Sequence, residues 1–414
     1  MATSQPAEPI RTQPLITPTP SHAGPSAGDR LLDAARAVGP MIREHAEQTE
    51  RDRRLARPVV EALWRGGFQS MFTPRSLGGL ELDPVTVAQV VEEIAVFDSA
   101  AGWALQGNTG GWWSSRLPDE GAAELYAEGS EPRMAAAFHP PNRAVPVPGG
   151  YRFTGRSPLA SGIHDADWVQ LAAFVMDGDR PKMTDAGPEV IALTMRTSEV
   201  EIIDSWHSLG MRGTDSNDVA ADDVFVPSAR TFPFAPSPRR GKYYQGPLYR
   251  IPALASTVSI VAPVALALAR GAIAELRDLA SRKTPLGSMK TLRDRNAVQA
   301  ALAEAEGMLR SARLLLHDTL GEAFRRASAG DESTLAQKAE VVLAGAHATK
   351  SATRVVDLMH RQAGTSGIYE RSRLERLFRD AQTVRQHGIV CESRFEAVGQ
   401  VMLGVAPEFV LVGL

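Results

Sequence analysis

The first residues whose types and spacing could support chemistry are His164, Asp165 and Asp167, because imidazole and carboxylate groups bind divalent metals. Three such residues within four positions do not converge easily, since successive side chains of a strand point to opposite faces. No second cluster supplies further ligands. We therefore interpret this segment as a solvated turn that enters a strand, and we predict no metal site.

A second candidate is the serine of Gly364-Thr-Ser-Gly, because serine among glycines occurs in hydrolases and in phosphate-binding loops. A hydrolase elbow requires Gly-x-Ser-x-Gly, and a phosphate loop requires Gly-Lys followed by Ser or Thr. The segment has neither pattern, and no Gly-x-Gly-x-x-Gly follows a predicted strand. The sequence therefore argues against hydrolysis, nucleotide-triphosphate chemistry and a dinucleotide-binding fold of the Gly-rich type.

The elements that must position an active site fall into three consecutive regions. Helical spacing of apolar residues dominates residues 29–130, where an Asp83-Pro84 pair marks a helix start. Short strand-like runs separated by Gly, Pro and Asp dominate residues 131–235, and helical spacing returns for residues 236–414. Because strands and helices are segregated, we predict an α+β protein rather than a doubly wound parallel sheet.

Composition limits the partners and the compartment. The 45 basic and 48 acidic residues are mixed along the chain, so we predict neither nucleic acid nor an anionic membrane as a partner. A single cysteine, Cys391, excludes an intramolecular disulfide framework and fits a cytoplasmic protein. Residues 1–28 lack a signal peptide pattern and are predicted to be a disordered tail. The uncharged stretch 251–269 contains Pro263 and small residues, so we predict a buried helix and no membrane span.

Four sequence blocks in order resemble the acyl-CoA dehydrogenase superfamily over about residues 32–404. The blocks are Leu77-Gly-Gly-Leu-Glu-Leu with Glu92-Glu-Ile-Ala-Val-Phe-Asp-Ser, Tyr151-Arg-Phe-Thr-Gly-Arg-Ser-Pro-Leu-Ala-Ser-Gly, Ser208-Leu-Gly-Met-Arg-Gly-Thr-Asp-Ser with Asp223-Val-Phe-Val-Pro, and Gly364-Thr-Ser-Gly-Ile-Tyr with Leu377-Phe-Arg-Asp-Ala-Gln-Thr. This resemblance implies an N-terminal helical domain, a middle antiparallel β domain and a C-terminal four-helix bundle.

One departure from the dehydrogenases concerns the catalytic base. These enzymes remove a proton next to a thioester carbonyl, which requires a carboxylate aimed at that carbon. In the family, the base usually lies eight residues beyond the Arg-Asp pair of the last block. Here the pair is Arg379-Asp380, and the position eight residues onward is Gly388. A branch of the family carries the base on an earlier helix, where alignment through Pro263 puts Ala255. Neither position holds a base.

The details instead resemble the oxygenase branch, which includes flavin-dependent aromatic hydroxylases, dibenzothiophene oxygenase and amino-sugar N-oxygenases. The segment Gln382-Thr-Val-Arg-Gln-His places His387 where that branch has a histidine facing the flavin. Ser161 matches the serine that the branch places against the reactive edge of the isoalloxazine ring. Without the resemblance, either residue would more often be structural. Asn108 and Thr109 occupy the segment where several oxygenases carry a second histidine.

The resemblance implies a monooxygenase that uses a reduced flavin, FMN or FAD, and O2. A flavin hydroperoxide would then oxygenate a small organic substrate, with the difficult chemistry supplied by the cofactor. Ser161 is suited to holding the peroxide, and His387 to protonating it or to deprotonating the substrate, because an imidazole titrates near neutrality. The chain carries no nicotinamide-binding motif, so a separate NAD(P)H:flavin reductase is implied.

Further flavin contacts follow from the same resemblance. Phe138 and His139 would lie on a loop beside the flavin, and Trp206 would flank it. Arg282 would meet the flavin phosphate from a neighbouring subunit, because a guanidinium suits phosphate oxygens. The segment Gly364, Thr365 and Ser366 would contact the same cofactor from the other subunit. Such shared sites imply an oligomer, and a homotetramer is expected.

Two alternatives stay open at the level of sequence. The first is an acyl-CoA dehydrogenase-type desaturase with an unrecognised base, for which Glu392 and Glu396 are the candidates just past the usual position. The second is a non-catalytic homologue that binds flavin or another ligand. The substrate and the choice between FMN and FAD do not follow from these residues.

Overall fold

The computed structural model describes residues 25–138, 142–185, 187–234 and 241–414. The predicted tail lies mostly outside the described residues, and the first helix begins at Ala27, after Ser26 caps its N-terminus. The N-terminal helices are α1 (Ala27–Glu44), α2 (Ala46–Asp52), α3 (Arg57–Arg65), α4 (Pro84–Ala95), α5 (Ser99–Ala104), α6 (Gly107–Trp113) and α7 (Asp119–Leu125).

Helix α4 shows how the sequence pattern becomes structure. The Asp83 carboxylate accepts hydrogen bonds from the backbone N–H groups of Val85 and Thr86, both at 3.0 Å, so it satisfies donors that the first turn leaves unpaired. The apolar stripe of the helix is buried and packs against α1 and a long C-terminal helix. The predicted start and buried face of this helix are therefore confirmed.

The middle region contains one main sheet and a separate two-stranded sheet. Its strands are β1 (Met134–Ala137), β2 (Arg143–Val147), β3 (Gly150–Ala160), β4 (Trp168–Asp177), β5 (Arg180–Pro181), β6 (Met183–Thr184), β7 (Gly187–Pro188), β8 (Val190–Arg196), β9 (Glu201–Ile203), β10 (Asn217–Pro227) and β11 (Thr231–Pro233). The main sheet has the order β11-β8-β4-β2-β3-β10-β9. Its described pairings are antiparallel, except that β4 runs parallel to β1 and to β2.

The C-terminal region is helical. Its helices are α8 (Ala253–Arg282), α9 (Asn296–Ala329), α10 (Leu335–Ala363), α11 (Arg373–Val384) and α12 (Arg394–Met402). Helices α8, α9, α10 and α11 pack together, and α12 packs on α10. Helix α8 is long and apolar enough to cross a membrane, but 83% of its most apolar window is buried within the protein, as expected for a core helix.

Candidate functional site

A cavity of about 830 Å³ lies where the three regions meet. Its wall combines the segment after α5, strand β1, the end of β3, the loop before β10, the end of α11 and the C-terminal residues. Of the residues predicted to contact the flavin, Phe138, Ser161, Trp206 and His387 line this cavity. Its size is typical of sites that bind small molecules and cofactors, which span about 300–1,000 Å³.

Ser161 lies in the wall because of the register between two strands. Antiparallel pairing sets Ala160 at the end of β3 opposite Asn217 at the start of β10. The residues just beyond this pair, Ser161 and Ser216, therefore meet, and their hydroxyl oxygens are 2.7 Å apart. Ser216 also lies 2.7 Å from the hydroxyl of Thr214. We call Ser161, Ser216 and Thr214 the hydroxyl relay.

The groups at the two ends of the hydroxyl relay set the direction of its hydrogens. The indole N–H of Trp103 donates to Ser161 at 3.0 Å, because an indole nitrogen can only donate. At the other end, Thr214 donates to the carbonyl of Met211 at 2.9 Å. Each hydroxyl has one hydrogen, so all four bonds form together only when the hydrogens point from Trp103 towards Met211. In that arrangement Ser161 offers the cavity a lone pair and no hydrogen.

His387 follows the last turn of α11 and directs its ring into the same cavity. The ring meets the indole of Trp103 edge-on, with 5.3 Å between ring centroids. The side-chain amide of Gln106 lies 3.4 Å from Nε2, and the backbone N–H of Ile389 lies 3.4 Å from Nδ1. Both contacts are long and weak, and because the Ile389 N–H can only donate, its contact favours Nδ1 as the acceptor and the ring hydrogen on Nε2.

Burial changes the titration that the sequence predicts for His387. Desolvation within the cavity wall lowers the pKa of the imidazole to about 4, because a buried, charged ring would lack the hydration that stabilises it in water. At neutral pH the ring is therefore uncharged. The expectation that His387 titrates near neutrality is corrected accordingly: the resting ring can accept a proton, but it carries none to give as an imidazolium.

A buried carboxylate shapes the cavity without lining it. Asp380 is 1% exposed and accepts hydrogen bonds from the Ser99 hydroxyl and the Met211 backbone N–H, both at 2.6 Å. Burial raises the pKa of this carboxyl. Met211 has a left-handed backbone with φ of 54°, and Gly210 passes so close to Arg379 that a Cβ would lie 2.3 Å from its carbonyl oxygen. Asp380 thereby anchors the turn that supports the hydroxyl relay.

Trp206 is held above that turn. Its indole N–H donates to the carbonyls of Met211 and Arg212, both at 3.1 Å. Its backbone N–H donates to the side chain of Asn217 at 3.0 Å. The ring is therefore fixed at the cavity wall by three hydrogen bonds, as suits a side chain that packs against a planar ligand.

Another part of the wall is aromatic. Trp113 stacks on Phe234 with 4.9 Å between centroids, and Phe138 meets both rings at 5.6 and 5.0 Å. Leu254, Phe409, Leu411 and Leu414 add further apolar surface. Such a surface favours a flat, apolar ligand, because stacked and edge-on ring contacts add about 0.5–1.5 kcal/mol each to the burial of area.

None of the wall residues that the structure describes is Asp or Glu. The internal segments outside the described residues, 139–141, 186 and 235–240, also contain no Asp or Glu. Gly388 lies in the wall and Ala255 is buried in α8. Glu392 pairs with Arg385 at 2.9 Å and is half exposed, away from the wall.

The remaining predicted cofactor contacts lie outside the cavity wall. Arg282 ends α8 as an exposed side chain paired with Asp278. The next residue, Lys283, donates to the carbonyl of Ala363 at 2.7 Å and so joins the end of α8 to the turn that contains Gly364, Thr365 and Ser366. We call residues 282–283 and 364–366 the α8 corner. Within one chain, the fold brings these predicted contacts together but separates them from His387 and Ser161.

Two other predictions have simple outcomes. His139 lies outside the described residues. The three side chains considered as metal ligands turn to different partners: His164 to Asp215 at 2.7 Å, Asp165 to Arg54 at 3.3 Å and Asp167 to Arg133 at 2.7 Å. In the described ranges, no group of three or more His, Cys, Asp or Glu side chains is arranged to hold a metal.

Sequence reasoning missed several wall residues. Trp103, Gln106, Trp113 and Phe234 all line the cavity, although no sequence pattern singles them out as site residues. The sequence gives no signal that joins Trp103 to Ser161, because the two residues are 58 positions apart and meet only through tertiary packing. Asn108 is structural, because its side-chain oxygen accepts from Met71 and its amide nitrogen donates to Phe68 and Leu105.

Comparisons with protein families match both helical regions. The acyl-CoA dehydrogenase N-terminal domain matches residues 30–117, and the acyl-CoA dehydrogenase C-terminal domain matches residues 259–392. Together they cover more than half of the chain. These matches agree with the resemblance carried by the four sequence blocks.

Individual relatives cover nearly the whole chain. Indole-3-acetate monooxygenase of Pseudomonas putida is 29% identical over 390 residues, which cover 94% of this chain and 96% of the relative. The oxygenase component of FADH2-dependent resorcinol hydroxylase from Rhizobium sp. is 28% identical and covers 94% and 98%. Among solved structures, XiaF from Streptomyces sp., in complex with FADH2 and glycerol, superposes with a TM-score of 0.84 at 23% identity over 92% of this chain and 96% of that one.

Proposed function

The chain belongs to the acyl-CoA dehydrogenase family and to its flavin-dependent monooxygenases, and on that premise we propose that it oxygenates a small aromatic molecule as the oxygenase component of a two-component system. The observation that carries this proposal is a cavity whose described wall has a neutral imidazole and hydroxyls but no Asp or Glu side chain. Removal of a proton from carbon next to a thioester requires such a carboxylate, whereas oxygenation does not.

The wall fits a flavin. Its volume accepts a tricyclic ring, Trp206 and Phe138 offer aromatic surface, and Ser161 offers a lone pair. A reduced isoalloxazine ring carries an N–H group at its reactive edge, and the oxidised ring has an acceptor nitrogen there. The direction of the hydroxyl relay thus favours the reduced form, since Ser161 accepts in the arrangement with every hydrogen bond made. When bound, the reduced flavin supplies the electrons and the activation of O2.

His387 acts as a proton acceptor in this proposal. Its pKa of about 4 keeps the ring uncharged at neutral pH, so its unprotonated nitrogen is available to accept a hydrogen bond, and in the transition state the proton, from the hydroxyl of an aromatic substrate. The indole of Trp103 and the amide of Gln106 orient the ring. The apolar walls exclude water around the ring, which limits the release of hydrogen peroxide without oxygenated product.

The aromatic part of the wall supports an aromatic substrate. Trp113, Phe138 and Phe234 form a contiguous group of rings, and no Lys or Arg is among the described residues of the wall. An uncharged phenol or indole therefore suits the cavity better than an acyl-CoA, whose phosphates require cationic partners. The named relatives act on indole-3-acetate and on resorcinol.

The same proposal includes partners and assembly. A separate NAD(P)H:flavin reductase supplies the reduced FMN or FAD. We propose a cytoplasmic homotetramer in which the α8 corner of one subunit binds the flavin phosphate at the cavity of another. Its support is the placement of Arg282 and Gly364 away from the cavity wall of their own chain, together with cationic and small residues suited to a phosphate.

A pair of anaerobic and aerobic assays tests the function. Purified protein is mixed with chemically reduced FMN or FAD, and O2 is then admitted with a panel of phenols, indoles and amines. We expect oxygenated product in proportion to reduced flavin, and little hydrogen peroxide. In parallel, oxidised flavin-loaded protein is mixed with acyl-CoA in the absence of O2. Bleaching of the flavin there, without oxygenated product in the first assay, would contradict the proposal and favour a desaturase.

A further inference from the structure

A second cavity of about 60 Å³ adjoins the main one. It lies between helix α3 and the sheet, and its apolar lining includes Leu55, Val60 and Leu63. Four residues line both cavities: Ala104, Met134, Ser161 and Thr214. A single layer of side chains, which includes part of the hydroxyl relay, therefore separates this side cavity from the main one.

Most polar side chains of the side cavity are already paired, whereas the amide of Gln69, which also lines it, is not among them. Towards the surface, Arg133 bonds to Asp167 at 2.7 Å and lies over the half-exposed ring of Trp64, 4.5 Å from its centroid. Asp165 pairs with Arg54 at 3.3 Å. Towards the main cavity, the hydroxyls of Ser161 and Thr214 are engaged in the relay.

From this arrangement we propose that the side cavity is the route and waiting site for dioxygen on its way to the reactive edge of the flavin. The inference rests on the proposed function, because it requires a flavin against Ser161. A cavity of about 60 Å³ is much smaller than the roughly 150 Å³ of an apolar cavity that holds one benzene ring, so neither an aromatic substrate nor a flavin ring fits. The possible occupants are molecules as small as O2 or water.

The walls favour the apolar occupant. A buried water needs two to four polar partners, and the hydroxyls next to the main cavity are already bonded to each other and to protein groups. Dioxygen needs no hydrogen bonds and gains dispersion contacts with Val60, Leu63 and Met134. The route also leaves the aromatic part of the main cavity free for the substrate.

Variants at two positions test the route kinetically. Val60→Phe narrows the side cavity, and Leu55→Trp narrows it at a second residue; neither lies in the wall of the main cavity. We expect both variants to slow the second-order reaction of bound reduced flavin with O2 several-fold in stopped-flow mixing, with the affinity for reduced flavin unchanged. Val60→Ala is the matched control: it removes packing at the same place but widens the cavity, so the reaction should not slow.

Xenon binding tests the site without any catalysis. Xenon enters dry apolar cavities, so crystals of the wild-type protein under xenon pressure should show an atom among Val60, Leu63 and Met134. The atom should be absent from crystals of Val60→Phe. The same crystals reveal whether ordered water fills the side cavity instead.

The outcomes separate the inference from the proposed function. Xenon in the wild type, together with slower O2 reaction in Val60→Phe but not in Val60→Ala, supports the route. Ordered water in place of xenon, or an unchanged O2 reaction in both narrowed variants, overturns it. If the wild type binds no reduced flavin, the proposed function fails, and the xenon result alone then decides whether the side cavity is a gas site.

Discussion

The main cavity and the α8 corner differ in how their residues are held. In the cavity, Ser161 and His387 come from distant parts of the chain and are fixed by side chains such as Trp103. At the α8 corner, Arg282 is exposed and its side chain pairs with Asp278, one helical turn away. The difference teaches that the wall around His387 and Ser161 is assembled within one chain, whereas the exposed α8 corner makes no part of that wall and can serve the cavity only as the proposed contribution to a neighbouring subunit.

The largest expected effect lies at His387. His387→Ala removes the proton acceptor, and general-base contributions are typically about 10²–10⁴-fold, so product per reduced flavin should fall by about 100-fold or more. Affinity for reduced flavin should stay within a small factor, as measured by anaerobic calorimetry. His347→Ala, outside the cavity wall, is the control. Equal coupling in the wild type and His387→Ala would remove His387 from the mechanism.

A substitution at the α8 corner should change the affinity for flavin rather than the amount of product formed per reduced flavin. Arg282→Ala is expected to weaken flavin binding by about tenfold, since a charge-assisted hydrogen bond contributes about 1.5–3 kcal/mol. Arg325→Ala is the matched control, because Arg325 is equally exposed and pairs with Glu322 on its own helix. Sedimentation of each variant reports whether assembly is intact.

A mixing experiment sharpens the same comparison. Co-expressed His387→Ala and Arg282→Ala chains, assayed at low flavin concentration, should recover activity that neither variant shows alone. In some mixed sites one subunit would supply an intact His387 and its neighbour an intact Arg282. No recovery in a mixed oligomer would contradict the shared site.

The hydroxyl relay should show a smaller effect. Thr214→Val removes the bond to the Met211 carbonyl and leaves Ser161 free to point its hydrogen into the cavity. A typical hydrogen bond contributes about 1 kcal/mol, so the ratio of oxidised to reduced flavin dissociation constants should fall about fivefold. Thr214→Ser, which keeps the hydroxyl, should retain the wild-type ratio. An unchanged ratio in Thr214→Val would show that the relay does not select the reduced ring.

The smallest expected effect is a flat pH profile. Because the pKa of His387 is lowered to about 4, only about one ring in a hundred is charged at pH 6. Coupling measured with pre-reduced flavin should therefore stay level between about pH 5.5 and 8 and decline as the pH approaches 4. An inflection near pH 6.5 that disappears in His387→Gln would mean that the ring is solvated.

The helices whose ends and buried faces depend on capping residues and on the spacing of apolar residues could be predicted from the sequence. The Asp83 cap, the buried face of α4 and the apolar core helix α8 follow from capping and periodicity, and all are present. The resemblance also placed Ser161 and His387 in one cavity. These features depend on short spacings or on a fold shared with relatives.

The rest depends on three-dimensional contacts that spacing does not encode. The hydroxyl relay requires the register of β3 against β10 and the placement of α5, which together bring Trp103, Ser161 and Ser216 to one point. The pKa of His387 depends on how deeply the cavity desolvates the ring. The separation of Arg282 from the cavity depends on the length of α8, whose end lies about 45 Å from its start at 1.5 Å per residue.

The tryptophans carry a practical consequence. Three of the six in the chain, Trp103, Trp113 and Trp206, stand around one cavity. A flavin bound there would lie within energy-transfer distance of these three indoles, so flavin binding should strongly quench the tryptophan fluorescence of the protein. Tryptophan fluorescence therefore reports whether the cavity is occupied. Replacement of each of these tryptophans by Phe, one at a time, would show which part of the wall a given ligand approaches.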